Sequence, residues 1–374
     1  MPSSISSSER LRDTAADRPG VAQPVPTRPV PAQPWGRVFI QALLMFALLL
    51  GGWEWHWRDF GAAPGIANSD GLWAQQRRRI DAGEGGATVI IGSSRLLFDL
   101  QLDVWEKQDG KRPIQLALEG TSPLLFLEDL ADDPKFTGRL LVDVAPGLFF
   151  TGYAYRADAF EYYTKETPSQ RVGQWLSMHL LEPFFAFYEP DFALGTLLKR
   201  QPWPQREGWP SFISVRKLSV GDADRNTHMW SKVEQDAQYR ALTQAIWAQG
   251  FGPSPRDPPP DVADKTRDAQ IDRAAKAVAK LRARGVPVIF VRTPSNGPML
   301  AEENRAFPRA STWDALLQRT GAQGIHFQDY AELQGLDQPE WSHLSHADAR
   351  RYTAALQTIV VRDFWRPSSP AALR

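Results

Sequence analysis

The chain has 374 residues, 43% of them hydrophobic, enough to bury one large core or two ordinary ones. Its 43 Lys and Arg balance 43 Asp and Glu, which argues against the basic excess of a general nucleic-acid binder. Cysteine is absent, which excludes a disulfide framework, a thiol nucleophile and cysteine metal sites.

Residues 1–34 are rich in Ser, Pro, Arg and Ala and lack the apolar periodicity that buries a core, so they read as a disordered tail. Residues 35–57, "WGRVFIQALLMFALLLGGWEWHW", read as a transmembrane anchor: from Val38 to Trp55 only Gln41 and Glu54 are strongly polar. Trp35 stands at one end and Trp53, Trp55 and Trp57 at the other, where interfacial aromatics belong. Arg10, Arg12, Arg18, Arg28 and Arg37 outnumber three acids before the apolar run that begins at Val38. The positive-inside rule therefore puts the tail in the cytoplasm and residues 58–374 outside it. A cleaved signal peptide is the competing reading, but "GGWEWHWRDF" offers no good cleavage site.

A juxtamembrane helix is expected around Leu72–Ile80, with Arg77, Arg78 and Arg79 as a solvated face. Short apolar runs then alternate with helical stretches. The runs are 87–92, 113–118, 139–145, 286–292 and 324–329. Their Val, Ile, Leu and Phe content suits strands covered on both faces. Helices are expected over 96–108, 123–131, 264–284, 312–320 and 347–364. This alternation predicts an α/β fold: a doubly wound, mostly parallel five-stranded sheet. Residues 146–262 interrupt it. They are too long for a connection and too apolar for disorder, and read as a helical insertion, a lid or acceptor-binding subdomain, or a structural elaboration without such a role.

Ligands of parallel sheets bind beyond the carboxyl ends of the strands. The first run ends there in Gly92-Ser93-Ser94. That is either a tight turn with a helix cap or a serine nucleophile whose following amides can stabilise an oxyanion. The second run ends in "LALEGTSP", where Gly120 is either a turn residue or a second oxyanion donor. Near the C-terminus, "QPEWSHLSHADARRYTAAL" places Glu340 three residues before His343, a spacing that lets a carboxylate orient an imidazole facing a serine. His346 is a rival three residues on. The histidines form no His-x-His or His-Glu-x-x-His motif, so neither a metal nor another cofactor is expected.

Together and in order, "VIIGSSR", "LALEGTS" and "EWSHLSHADARRYT" resemble the first, second and last blocks of SGNH/GDSL hydrolase-like proteins. The resemblance covers 87–145 and 286–364 and implies an SGNH (flavodoxin-like) sheet. It implies Ser94 as nucleophile, His343 rather than His346 as base, Glu340 as its acid, and the Ser94 and Gly120 amides as oxyanion hole. Three departures stand out. Ser93 replaces the usual aspartate, Glu340 is longer than the usual acid, and the third block, "LLVDVAPGLFF", lacks the usual asparagine. Asp143 is in the vicinity but cannot donate when ionised. Losing one oxyanion donor costs about 100- to 1000-fold in rate. Asn296 is a candidate replacement and Arg292 a candidate ligand for a substrate oxygen.

An anchor joined to such a domain resembles the alginate O-acetylation proteins and the D-alanine transfer protein of teichoic acids. That subgroup implies a single-pass protein of the bacterial inner membrane, with its main domain in the periplasm. There it would move acyl groups to or from an envelope polysaccharide beside a membrane-bound O-acyltransferase. The alternative is a non-catalytic SGNH-like domain that binds glycan or scaffolds a polysaccharide machine.

Overall fold

The computed structural model describes residues 34–201, 212–255 and 257–365. The expected tail, apart from Pro34, and residues 202–211 of the expected insertion lie outside them. The chain divides into two units, Met1–Gly52 and Trp53–Arg374. The helix α1 (Trp35–Asp59) begins in the first. Its 25 residues, at 1.5 Å each, make it long and apolar enough to cross a membrane by length and composition.

The second unit is α/β. Helix α2 (Asp70–Arg79) starts on an N-cap where Ser69 accepts from the Leu72 amide at 3.1 Å. Strand β1 (Thr88–Ile91) leads through a sharp turn into α3 (Ser94–Asp99) and α4 (Leu102–Asp109). There follow β2 (Ile114–Gln115), α5 (Leu124–Asp132) and β3 (Arg139–Asp143). The long middle segment holds α6 (Pro146–Phe149), α7 (Asp158–Lys165), α8 (Pro168–Leu176), α9 (Leu194–Lys199), β4 (Ser219–Gly221), β5 (Thr227–Met229), α10 (Ser231–Gln235) and α11 (Ala237–Ala248). After it come α12 (Pro260–Ala283), β6 (Val288–Arg292), α13 (Gly297–Ala306), α14 (Trp313–Thr320), β7 (Gln323–His326) and α15 (His346–Ile359).

Five strands form one parallel sheet in the order β2-β1-β3-β6-β7, as the alternation predicts. Val89 pairs with Ile114, Ile90 with Leu141, Val142 with Phe290, and Phe290 with Gly324. The second strand is short, but its ladder runs on: Leu116 N–H donates to Ile90 O at 2.8 Å and Leu118 N–H to Gly92 O at 2.9 Å. Because β2 and β3 lie on opposite sides of β1, the order reverses between β1 and β3, where the crevice of a doubly wound sheet opens.

Alternate side chains feed two cores. Val89, Ile91, Leu140, Val142 and Phe290 pack on one face under α5, α12 and α14. Ile90, Leu141, Ile289 and Val291 pack on the other with Leu96, Trp105, Tyr352 and Leu356. A third cluster joins Trp57 and Ala62 to Leu97 and Phe98 of α3 and to Phe192, Leu218, Trp230 and Val233.

Three expectations are corrected. The middle segment is not wholly helical, since β4 and β5 form an antiparallel hairpin. Its turn residue Arg225 is buried and donates to Gln115 O and Ala117 O at 2.8 and 2.7 Å, covering the free edge of β2. The helix expected over 96–108 is two, because Leu100 and Gln101 are extended and the Gln101 amide donates to Thr353 Oγ1 at 2.8 Å instead. Arg77 is not on a solvated face. It is 2% exposed and pairs with Asp129 and Asp133 at 2.8 and 2.7 Å.

The sheet end is tightest at Gly92. A Cβ there would stand 2.3 Å from Asp143 Cβ. Gly92→Ala is expected to cost about 3 kcal/mol through overpacking. Gly86→Ala, where a Cβ meets nothing within 4 Å, should stay within about 0.5 kcal/mol. Thermal melting of the full chain in detergent compares the two.

Candidate active site

The turn after β1 is built by β3. Asp143 Oδ2 accepts the Ser93 amide at 3.0 Å and the Ser93 hydroxyl at 2.5 Å, while its Oδ1 accepts from Thr293 Oγ1 at 3.1 Å. Ser93 is also the N-cap of α3, accepting from the Arg95 amide at 3.2 Å. With Ser93 so held, the next residue, Ser94, begins α3 and is the one member of the turn left partly open to solvent.

The loop before α15 meets it. Ser94 Oγ lies 2.8 Å from His343 Nε2, and His343 Nδ1 lies 2.6 Å from Glu340 Oε1. A carboxylate only accepts, so Nδ1 carries the proton and Nε2 is free to accept from the serine hydroxyl. Both side chains are buried, His343 to 2% and Glu340 to 1% exposure. Glu340 Oε1 also accepts the His343 amide at 2.7 Å, and its Oε2 accepts from the Trp247 indole. The Phe98 ring lies 4.5 Å from the imidazole. His346 is elsewhere: it stacks on His228 at 3.8 Å, and its amide donates to Glu234 at 2.6 Å.

The remaining expected residues divide. The Ser94 and Gly120 amides have no acceptor among the described residues. Gly120, with φ of 59°, lies two residues past Leu118, which bonds Gly92 O. Arg292 is 4% exposed, and its guanidinium is used up on Glu303, Ser295 and Thr293 O. It is therefore an internal charge, and the expectation that it binds substrate is corrected. Asn296 joins the Glu340–His343 loop, its amide donating to Trp341 O at 3.0 Å. Its side-chain Oδ1 is buried without a partner, and no bond links it to Ser94.

Behind Ser94 lies a buried charge cluster that the sequence does not announce. Arg95, next to Ser94, donates to Ser342 Oγ at 3.2 Å and pairs with Glu303, which Arg292 reaches at 2.6 Å. Burial works to raise the Glu303 carboxyl, but Arg292 and Arg95 outweigh it and hold it at about 2. Trp247 and Gln244 were also missed. Gln244 donates to Pro339 O at 2.9 Å, so α11 holds the Glu340 loop at two points. The density of aromatics in 146–262 is the only signal that could have flagged Trp247. Among the described residues no cluster of His, Asp and Glu is arranged to hold a metal ion.

A serine hydroxyl bonded to an imidazole that a buried carboxylate orients is an arrangement for nucleophilic attack on an acyl carbon. No protein-family model matches the chain, and no curated protein matches it.

Asp99, at the end of α3, accepts the Leu344 amide at 2.9 Å and so holds the residue after His343. Burial, with Asp143 and Glu340 adding repulsion, pushes its carboxyl well above the ordinary range, against the Leu344 amide and Arg95. The folded chain therefore keeps a proton that the unfolded chain releases above about pH 4. Stability falls as pH rises between the two values. Asp99→Asn removes that dependence. Its stability relative to the parent should therefore grow as pH rises above the ordinary carboxylate range. Melting curves of both proteins at rising pH check this, and a constant difference would contradict it.

Proposed function

We propose that the protein is a membrane-anchored serine acyltransferase or esterase acting on O-acyl groups of a cell-envelope polysaccharide. The observation that carries the reading is the chain of contacts Ser94–His343–Glu340 at 2.8 and 2.6 Å. It stands at the point where strand order reverses. The resemblance of the three sequence blocks to SGNH/GDSL hydrolase-like proteins supports the same assignment of roles.

In this reading the Ser94 hydroxyl attacks the acyl carbonyl while His343 Nε2 takes its proton. The Ser94 and Gly120 amides stabilise the tetrahedral oxyanion. The intermediate collapses as His343 returns the proton to the departing alcohol, leaving an acyl ester on Ser94. A second hydroxyl then attacks that ester and gives its proton to His343; the new tetrahedral intermediate collapses as His343 passes that proton to the Ser94 Oγ, which leaves Ser94 free and the acyl group on the attacking oxygen. Water as the second hydroxyl makes an esterase, and a sugar makes a transferase. The proposed setting is the bacterial inner membrane, single-pass, with the main domain in the periplasm beside a membrane-bound O-acyltransferase. The apolar α1 and the arginines that precede it support this.

One observation favours the non-catalytic glycan-binding or scaffold alternative. The end of β3 offers Asp143, already engaged by Ser93 and Thr293, and no amide donor. A hole with two donors rather than three forfeits about 100- to 1000-fold in rate, which is a slow enzyme rather than none.

The test is acetyl-ester hydrolysis, and transfer to an oligosaccharide, by the full chain in detergent. Ser94→Ala and His343→Ala should each lower kcat/KM at least about 1000-fold. Trp247→Phe, which leaves Glu340 short of a donor, should lower it about tenfold through kcat. No turnover of either kind, or turnover unchanged in both alanine variants, would favour the scaffold reading.

A further inference from the structure

The segment from α8 through Phe184 is amphipathic the wrong way round for a domain in water. Positions 172, 175, 176, 179, 180, 183 and 184 recur at helical spacing and are exposed. They carry Val172, Trp175, Leu176, Leu180 and Phe184, with Trp175 at 56% and Phe184 at 59% exposure. His179 is the one ionisable group on the stripe, and it stacks on Trp175 at 4.6 Å. Polar side chains turn inward instead. Gln174 Oε1 accepts from Ser69 Oγ at 2.9 Å, and Glu182 accepts the Ala67 amide at 2.9 Å and the Ser177 hydroxyl at 2.6 Å. Glu182 is the only Asp, Glu, Lys or Arg between Val172 and Tyr188, and it is buried. A contiguous exposed apolar stripe of this kind marks a surface that something covers.

What covers it follows from where the stripe ends. Glu54 and Arg58 are the first charged residues after the apolar run of α1. Glu54 accepts the amides of Ala186 and Phe187 at 3.0 and 3.1 Å, and Arg58 donates to Phe184 O at 3.1 Å. The stripe is therefore tied to the turn of α1 at which a membrane span meets the headgroups. We infer that residues 172–184 lie in the plane of the membrane interface, with Trp175, Leu180 and Phe184 entering the boundary between headgroups and acyl chains. The occupant is the lipid surface of the membrane that α1 spans, so the inference rests on the anchor reading.

The chain contains no cysteine, so single-cysteine variants take one spin label each. Leu176→Cys, Leu180→Cys and Phe184→Cys would be read in the full chain reconstituted into nanodiscs of phosphatidylcholine and phosphatidylglycerol. Phe46→Cys, within the span, and Val262→Cys, exposed on α12, are the references. Labels at 176, 180 and 184 should collide preferentially with oxygen and be shielded from a water-soluble nickel chelate, as at 46, while 262 meets the chelate freely. Chelate-accessible labels at 180 and 184, with 46 shielded, would overturn the inference and leave the anchor standing. Chelate access at 46 would overturn both. Dipolar broadening at 180 would show a second copy on the stripe and also overturn it.

Discussion

The Glu340 carboxylate is the contact on which the site turns. At 1% exposure it has given up its hydration, a loss of several kcal/mol unless each oxygen finds donors. It finds three. Oε1 takes the backbone and ring N–H groups of His343, and Oε2 takes the Trp247 indole. The first pair fixes both the position and the tautomer of the imidazole, so Nε2 faces Ser94 as an acceptor. The third donor comes from α11, in the segment that breaks the strand-helix alternation. That segment is thus part of the site's frame. Gln244 and Trp247 both grip the loop that carries Glu340 and His343, and Glu234 takes the His346 amide where α15 begins.

The other half of the frame is charge held out of water. Arg95 and Arg292 share Glu303, and Asp143 holds Ser93 and Thr293. Each buried ion would be costly alone, and removing one partner would leave the others unpaired. The cluster therefore locks three pieces into one geometry: the start of α3, the end of β3 and the Thr293–Ser295 loop. It also keeps Asp143 engaged in the turn between β1 and α3.

Much of the scaffold was legible. The runs at 87–92, 139–145 and 286–292 are continuous and apolar because both faces of the sheet are covered, and they became β1, β3 and β6. The Ser94–His343 pairing was readable only through the resemblance of three blocks together, since residues 249 apart carry no local signal. Arg77 was misread because three consecutive arginines resemble a solvated face. Only the fold brings Asp129 and Asp133 to it. Arg292 failed for a related reason: a charge at a strand end can face the ligand or the core, and Glu303 decides for the core. The break at Leu100–Gln101 was invisible because the extended residues are held by Thr353, far along the chain.

The central claim is that Ser94 is a nucleophile activated by His343. The most direct measurement is reaction of the full chain with a fluorophosphonate, followed by mass spectrometry of the intact protein and its peptides. The account predicts one adduct per chain, on Ser94, formed at least about 100-fold more slowly in His343→Ala. No adduct, or an adduct distributed over other serines at an unchanged rate in that variant, would contradict it.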